Sequence, residues 1–190
     1  MKNLAASLAF LMFSFPAMAA EEQYTLDPAH TNILWSAGHF GFSHMYGKFA
    51  TVAGTLTLDE AKPENSKVSV TVTMNSIITG NPKLDEHLKA EAFFDVAKYA
   101  TATFESTKVE IGEGGKTARV TGNLTLHGVT KPTVLNVTLN KTGEHPMTKK
   151  KTVGFSATTV IKRSDFGVSY GLPAVSDEIP VIIETEASVS

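Results

Sequence analysis

The stretch Val68-Ser69-Val70-Thr71-Val72-Thr73-Met74-Asn75 places an apolar residue at every second position, with hydroxyl or amide residues between them. Successive side chains of an extended chain point to opposite faces, so this run has one greasy and one wettable face, the pattern of a half-buried β-strand. The same rule holds on both sides of it. Ile33, Trp35 and Ala37 share one parity upstream, followed by Val52, Leu56 and Leu58. Downstream come Val120, Leu124 and Leu126, then Thr133, Leu135, Val137 and Leu139. Val153, Phe155, Ala157 and Ile161 form another set, and Ile179, Val181, Ile183, Ala187 and Val189 the last. Turn-forming residues separate the runs at Lys62-Pro63-Glu64-Asn65, Gly112-Glu113-Gly114-Gly115 and Gly143-Glu144-His145-Pro146.

One segment departs from this alternation. Between Pro82 and Val96, Leu84, Leu88, Ala92 and Val96 recur at spacings of four, with Asp85 and Glu86 early and Lys89 later. That spacing and charge order predict one helix of about 10 residues inserted between strands. The expected fold is all-β, with about eight strands, several of them long enough for a coiled antiparallel barrel rather than a short-stranded sandwich. Alternation alone does not say which face is inside, because an outer-membrane barrel turns its apolar parity toward lipid. The phenylalanines have no girdle spacing and the chain finishes Glu186-Ala187-Ser188-Val189-Ser190, so the soluble barrel is the preferred reading. Such a barrel has room inside for packed side chains or for one apolar ligand.

The 190 residues fit a single domain, and 42% hydrophobic content with 19% charged residues fits a packed core. A net charge of −2 argues against nucleic-acid binding, which needs a basic surface. The absence of cysteine removes disulfides, thiolate catalysis and cysteine zinc sites together. At the N-terminus, Lys2 precedes an apolar run from Leu4 to Phe15, then Pro16 and Ala17-Met18-Ala19. This predicts a secretory signal over residues 1–19, cleaved after Ala19, ahead of one domain over residues 20–190. The apolar run is short for a bilayer span of about 20 residues, so an exported protein that does not span the membrane is expected.

Catalytic signatures are sparse. The histidines at 30, 39, 44, 87, 127 and 145 form no His-Glu-x-x-His motif, so no metal and no cofactor is expected. No nucleophile elbow is present, and nothing in the spacing of Asp27, His30 and Ser43 supports a triad. The unusual stretch is Gly38-His39-Phe40-Gly41-Phe42-Ser43-His44-Met45-Tyr46-Gly47-Lys48-Phe49. It reads either as a glycine-bent strand pair with aromatics in the core, or as the wall of an apolar pocket with His39 as a polar fixing group.

The residues His39, Gly41, Ser43, Tyr46-Gly47 and Phe49, followed by Gly54, Leu56 and Leu58-Asp59, resemble the signature of the YceI-like family. So do Asp85, His87-Leu88 and Phe93-Phe94-Asp95, then Lys98-Tyr99, Ala102, Phe104 and Ser106. Gly122, Leu124 to Pro132, Phe155, Ala157 and Asp165-Phe166-Gly167 complete the series in order along the chain. Two positions depart from the family pattern, Leu84 in place of the usual Arg and Ala100 in place of a frequent Pro, both around the helical insertion. The resemblance implies a lipocalin-like barrel around a long apolar tunnel, and a binding protein rather than an enzyme. It further implies a polyisoprenoid or other long-chain amphiphile as ligand, with quinone precursors among the candidates, and homodimers among the members. Carried over residue by residue, it marks His39, Tyr46, Phe49, Phe94, Phe104, Phe155 and Phe166 as ligand-binding positions, and Trp35 joins them by sharing the parity of His39. A lipid-modifying enzyme using His39 or Asp27, or a lipid-independent stress or interaction protein, is the alternative.

Overall fold

The eleven strand segments are β1 (Glu22–Leu26), β2 (Asn32–His39), β3 (Ser43–Phe49), β4 (Val52–Leu58), β5 (Lys67–Thr73), β6 (Ile77–Ile78), β7 (Thr101–Ile111), β8 (Thr117–Leu126), β9 (Val129–Glu144), β10 (Lys151–Lys162) and β11 (Glu178–Val189). Among the described residues a single α-helix, α1 (Pro82–Lys89), follows β6. The computed structural model describes residues 21–190; the expected signal over residues 1–19 lies outside the described residues.

Several segments are halves of one strand. β1 and β2 lie end to end along β11: Tyr24 to Leu26 pair with Val189 to Ala187, and Asn32 to Trp35 pair with Glu184 to Val181. On their other edge, β1 pairs with β4 and β2 with β3. β5 and β6 continue one another through the turn Met74–Ser76 in the same way. The result is a closed barrel of eight antiparallel strands in which each neighbour in space is a neighbour in sequence, and the last closes on the first.

The breaks have local causes. Between β1 and β2, Pro28 has no N–H to give to a ladder. The Asp27 carboxylate accepts the Ala29 N–H at 2.9 Å and sits 2.7 Å from the His30 ring. The inward set thereby passes from Tyr24 and Leu26 to Thr31, Ile33 and Trp35. In β7, Thr107 is an extra residue between the pairs Ser106–Gly122 and Lys108–Thr121. The bulge moves the inward parity from Ala102 and Phe104 to Val109 and Ile111. Asn140 does the same in β9, opposite the step between Gly154 and Phe155.

The helix is shorter than its sequence period suggests. Asn81 caps it by accepting the N–H groups of Lys83 and Leu84, and Pro82 occupies the first turn, where its missing N–H costs nothing. At Ala90 the backbone turns extended. The Ala90 carbonyl then accepts from Phe93 and Asp95, and the Leu88 carbonyl from Phe94. Residues 91–99 are therefore turns that fold Phe93 and Phe94 inward, so the helix has 8 residues where about 10 are expected, and the spacing of four through Ala92 and Val96 falls outside it.

Apolar parity faces inward along the strands, and the outer face of β9, for example, carries Asn136, Thr138 and Asn140, all exposed. A bilayer barrel needs an apolar outer band instead. Inside, Tyr24, Leu26, Leu56, Val153 and Ala187 pack against one another and fill one side of the barrel where the chain ends meet. The Tyr24 hydroxyl donates to Glu22 at 2.8 Å, and Lys151 bridges Glu22 and Glu60. Burial, then this hydrogen bond, pushes the Tyr24 phenol up to about 12, while Lys151 holds Glu22 below the usual carboxylate range. Two glycines make room for rings on the inner face. A Cβ at Gly47 would overlap the Trp35 indole, and one at Gly122 would overlap the Phe104 ring and lie 2.6 Å from the Glu105 carbonyl oxygen.

Replacing Gly122 with Val is expected to lower stability by at least about 1–3 kcal/mol, because the obstructing atom belongs to the adjacent strand and cannot rotate away. Urea unfolding of the variant measures this, and an unchanged midpoint would mean β7 shifts freely. A raised phenol pKa means that stability is fully present below pH 10 and lost as pH rises from 10 toward about 12. Lys151, also raised by its bond to Glu22, adds a loss of the same sign. Tyr24→Phe should therefore make the alkaline fall shallower without abolishing it, as read from denaturation midpoints across that range.

Candidate functional site: an apolar tunnel

The barrel axis is a tunnel of about 640 Å³ whose walls are the inward parity of nearly every strand. Ile33, Val70, Leu124, Leu135, Ala157 and Val181 are representative of its lining. Of the hydroxyls that reach it, those of Thr31 and Thr185 bond to one another at 2.8 Å. The volume falls within the range of about 300–1,000 Å³ that small-molecule sites occupy.

The two ends differ. The exposed members of the lining, including Glu60, Lys67, Ile111, Lys116 and Thr117, all sit at the end formed by the loops after β4, β7 and β9. This is the mouth. It is off-centre, because the cluster around Tyr24 and Val153 fills the opposite side. The other end is lidded by α1, the turns at 90–100 and the segment 163–177. Leu88, Phe93 and Phe94 from the former, and Arg163, Val168 and Val175 from the latter, close the lumen. The Phe94 ring meets Phe49 edge-on at 6.0 Å, and Phe93 packs on Tyr170 at 5.1 Å, tying the two halves of the lid together.

Arg163 organises this lid. It is 7% exposed, and its guanidinium donates to the carbonyls of Ser176 (2.8 Å), Val168 (2.8 Å), Tyr170 (2.9 Å) and Val175 (3.0 Å). Burial pulls its pKa below the usual arginine value, with the nearby Asp177 charge acting in the opposite sense. Asp177 accepts from the Ser164 N–H (2.8 Å) and hydroxyl (2.7 Å), fixing the start of the segment. The segment is thus held by one side chain reading four backbone oxygens, a geometry that only a guanidinium fork supplies.

Of the eight residues marked from the sequence, Trp35, Phe49, Phe94, Phe104 and Phe155 are in the lining. His39, Tyr46 and Phe166 are not. Tyr46 pairs with Ser36 on the outer face and is 69% exposed, because in β3 it is Gly47 and Phe49 that point inward. His39 lies at the last rung of β2, opposite Ser43 and bridged to Val175, with its ring edge-on to Phe40. Phe166 is buried in the turn Arg163–Phe166 beneath the lid, where its carbonyl accepts from the His127 ring at 3.1 Å. Within the glycine-rich stretch, Phe40 and Phe42 sit in the exposed β2–β3 turn, so only its last aromatic, Phe49, enters the tunnel. The residues missed by sequence reasoning are chiefly Arg163 and Phe93. Phe93 lies within the quoted Phe93-Phe94-Asp95 and Arg163 two residues before Asp165-Phe166-Gly167, but nothing in their spacing marks them as inward.

Asp27 and His30 do come together, with the Glu186 carboxylate close by, on the outside of the kink between β1 and β2. Their mutual bond lowers Asp27 and raises His30. Ser43 is far along the sheet, opposite His39 at the tip of the β2–β3 hairpin, so the three do not assemble as a triad.

Known proteins share this arrangement. The YceI-like domain matches residues 24–187. Protein YceI of Salmonella arizonae is 40% identical over 187 residues, covering 97% of this chain and 96% of the relative. Among solved structures, the Campylobacter jejuni YCEI protein is 32% identical with a TM-score of 0.70, over 80% of this chain and 89% of that one. Burkholderia cenocepacia BcnA shares the fold at 24% identity and a TM-score of 0.76, over 85% of this chain and 98% of that one. A polyisoprenoid binding domain from Saccharophagus degradans does so at 19% identity and a TM-score of 0.65, over 88% of this chain and 98% of that one. With a family match running from β1 to β11, and a relative at 40% identity across almost the whole length, the chain belongs to the YceI-like family.

Proposed function

We propose that this protein is a periplasmic binding protein or carrier that holds the hydrocarbon tail of a polyisoprenoid or similar long-chain amphiphile inside its barrel, quinone precursors being one such class. The observation that carries the reading is the continuous apolar tunnel of about 640 Å³, lidded at one end and open at the other. Apolar cavities of this kind stay dry and take up apolar guests. Burying a methylene contributes about 0.8 kcal/mol, so about fifteen buried carbons give roughly 12 kcal/mol. Association costs on the order of 4–15 kcal/mol, so toward the lower end of that cost tail burial alone reaches about micromolar affinity. The polyisoprenoid binding domain of Saccharophagus degradans, with the same fold, supports the choice of tail. In this reading Trp35, Phe49, Phe94, Phe104 and Phe155 are the contact residues.

An enzyme using His39 has less support, since that ring lies outside the tunnel lining and Asp27 is on the outer surface. Turnover of an isoprenoid lipid that is lost in His39→Ala would favour the enzyme.

Native mass spectrometry of the protein purified from cells should find a retained hydrophobic mass of several hundred daltons. Titration with an isoprenoid alcohol should change the fluorescence of Trp35, the single tryptophan. Protein that is repeatedly empty, with fluorescence indifferent to lipid, refutes the carrier reading. Ala157→Phe projects a ring into the lumen and should cut uptake by tenfold or more, about 1.4 kcal/mol or greater, while leaving the circular dichroism spectrum unchanged. Uptake equal to that of the parent protein would mean the ligand does not pass that level of the tunnel.

A further inference from the structure

The β2–β3 hairpin ends in Phe40-Gly41-Phe42, and both rings are in water: Phe42 is 92% exposed and Phe40 59%. Phe40 takes φ 51° and Gly41 φ 74°. The left-handed region is ordinarily given to Gly or Asn, so a phenylalanine there is an uncommon choice for a turn. A Cβ at Gly41 would meet nothing within 4 Å, so the tip stands clear of the barrel. Single exposed apolar side chains are ordinary, whereas a cluster of large ones marks a contact surface.

The lid braces this tip. The Phe40 N–H donates to the Ala174 carbonyl (2.7 Å) and the Ser176 N–H to the Gly38 carbonyl (3.0 Å). In the same lid segment Tyr170 is 55% exposed, and its ring packs on Phe93, which closes the lumen. Neither of the segments so joined, 31–47 and 166–176, contains Asp, Glu, Lys or Arg, in a chain with 19% charged residues.

These properties select the occupant. A bilayer surface takes aromatic rings at its headgroup boundary and disfavours ionised side chains. It also requires that backbone donors be matched before they leave water. Here the Phe40 N–H is bonded to Ala174, and the Phe42 N–H donates to the His39 carbonyl at 3.0 Å. A stable protein partner fits less well. At about 150–250 Å² for a fully buried aromatic side chain, the exposed parts of Phe40, Phe42 and Tyr170 offer roughly 300–500 Å², short of the about 800 Å² that each partner gives to a stable interface. The mouth suits a bilayer less, since Glu60, Lys67 and Lys116 put exposed charges of both signs on its rim.

We infer that the lidded end of the barrel docks on a lipid bilayer, with Phe40 and Phe42 seated at the headgroup boundary and the mouth turned away. This goes beyond the tunnel reading and stands apart from it, because docking depends on the outside of the lid and not on what the lumen holds.

Flotation with phosphatidylcholine vesicles tests it on residues 20–190, which hold every described strand and lack the apolar run Leu4 to Phe15. The parent protein should bind equally in low and high salt, because no ion pair is involved. Phe42→Ser should lower the partition constant about tenfold, and Phe40→Ser combined with it about a hundredfold. Circular dichroism, thermal midpoint and isoprenoid uptake in solution should stay as in the parent. The chain has no cysteine, so a nitrobenzoxadiazole label on Ser43→Cys, or on Met147→Cys in the β9–β10 loop at the mouth, reports each end separately. Vesicles should shift the first emission to the blue and leave the second alone. Binding that is absent, or undiminished in the double variant, overturns the docking and leaves the tunnel reading standing. Salt-sensitive binding with a response from the label at position 147 overturns it too, by putting the mouth on the membrane. Self-association that is lost in Phe42→Ser, without vesicle binding, overturns it in favour of a second copy of the chain.

Discussion

The antiparallel pairing of Tyr24, Thr25 and Leu26 with Val189, Ser188 and Ala187 joins the two ends of the domain, and the rest depends on it. Without that seam the eleven segments are an open sheet with a greasy face exposed to water and two unpaired edges. With it, the inward side chains away from the mouth are withdrawn from bulk solvent and the two edges of the sheet pair with one another. The seam is reinforced on its inner side by the packed cluster of Tyr24, Leu26, Leu56, Val153 and Ala187. At the rim, the linked charges of Glu22, Lys151 and Glu60 anchor it.

Closure creates the functional feature as a geometric consequence. Eight tilted strands enclose more space than the inward side chains of this sequence fill, small residues such as Ala37, Ala102 and Ala157 being part of the wall. The bulges at Thr107 and Asn140 and the kink at Asp27–Pro28 matter for the same reason. Each moves the inward parity by one, so the wall stays apolar along strands too long and too coiled to keep a single alternation. The remaining problem is the end of the tube. One end is closed by Phe93 and Phe94, folded in beyond a short helix, and by a loop that Arg163 holds through four carbonyls.

Much of this was legible in the residues. Strand identity followed from alternation in the Val68, Thr133, Val153 and Ile179 runs, and the inward set of most strands is the parity read there. Phe104 and Phe155 came to the tunnel wall because their strands keep that parity up to each ring. Tyr46 and His39 did not, for reasons of one residue's offset: Tyr46 is next to the inward Gly47, and His39 shares the parity of Trp35 but lies past the point where the strand lines the lumen. Phe166 is buried, yet in a turn whose packing is set by contacts between distant segments. The helix ended early because the carbonyls of Leu88 and Ala90 found partners in a turn, a choice that hydrophobic spacing does not encode.

The amino-acid sequence by itself determined the all-β architecture, the polarity of its two faces and the lack of a familiar catalytic constellation, because these depend on side-chain period and residue type within a few positions. Tertiary structure alone decided that the interior is a tunnel rather than a filled core, where it opens, and that Arg163 holds the loop at its closed end through four backbone carbonyls. Those features depend on how rings, glycines and loops from strands far apart in sequence meet across a closed barrel.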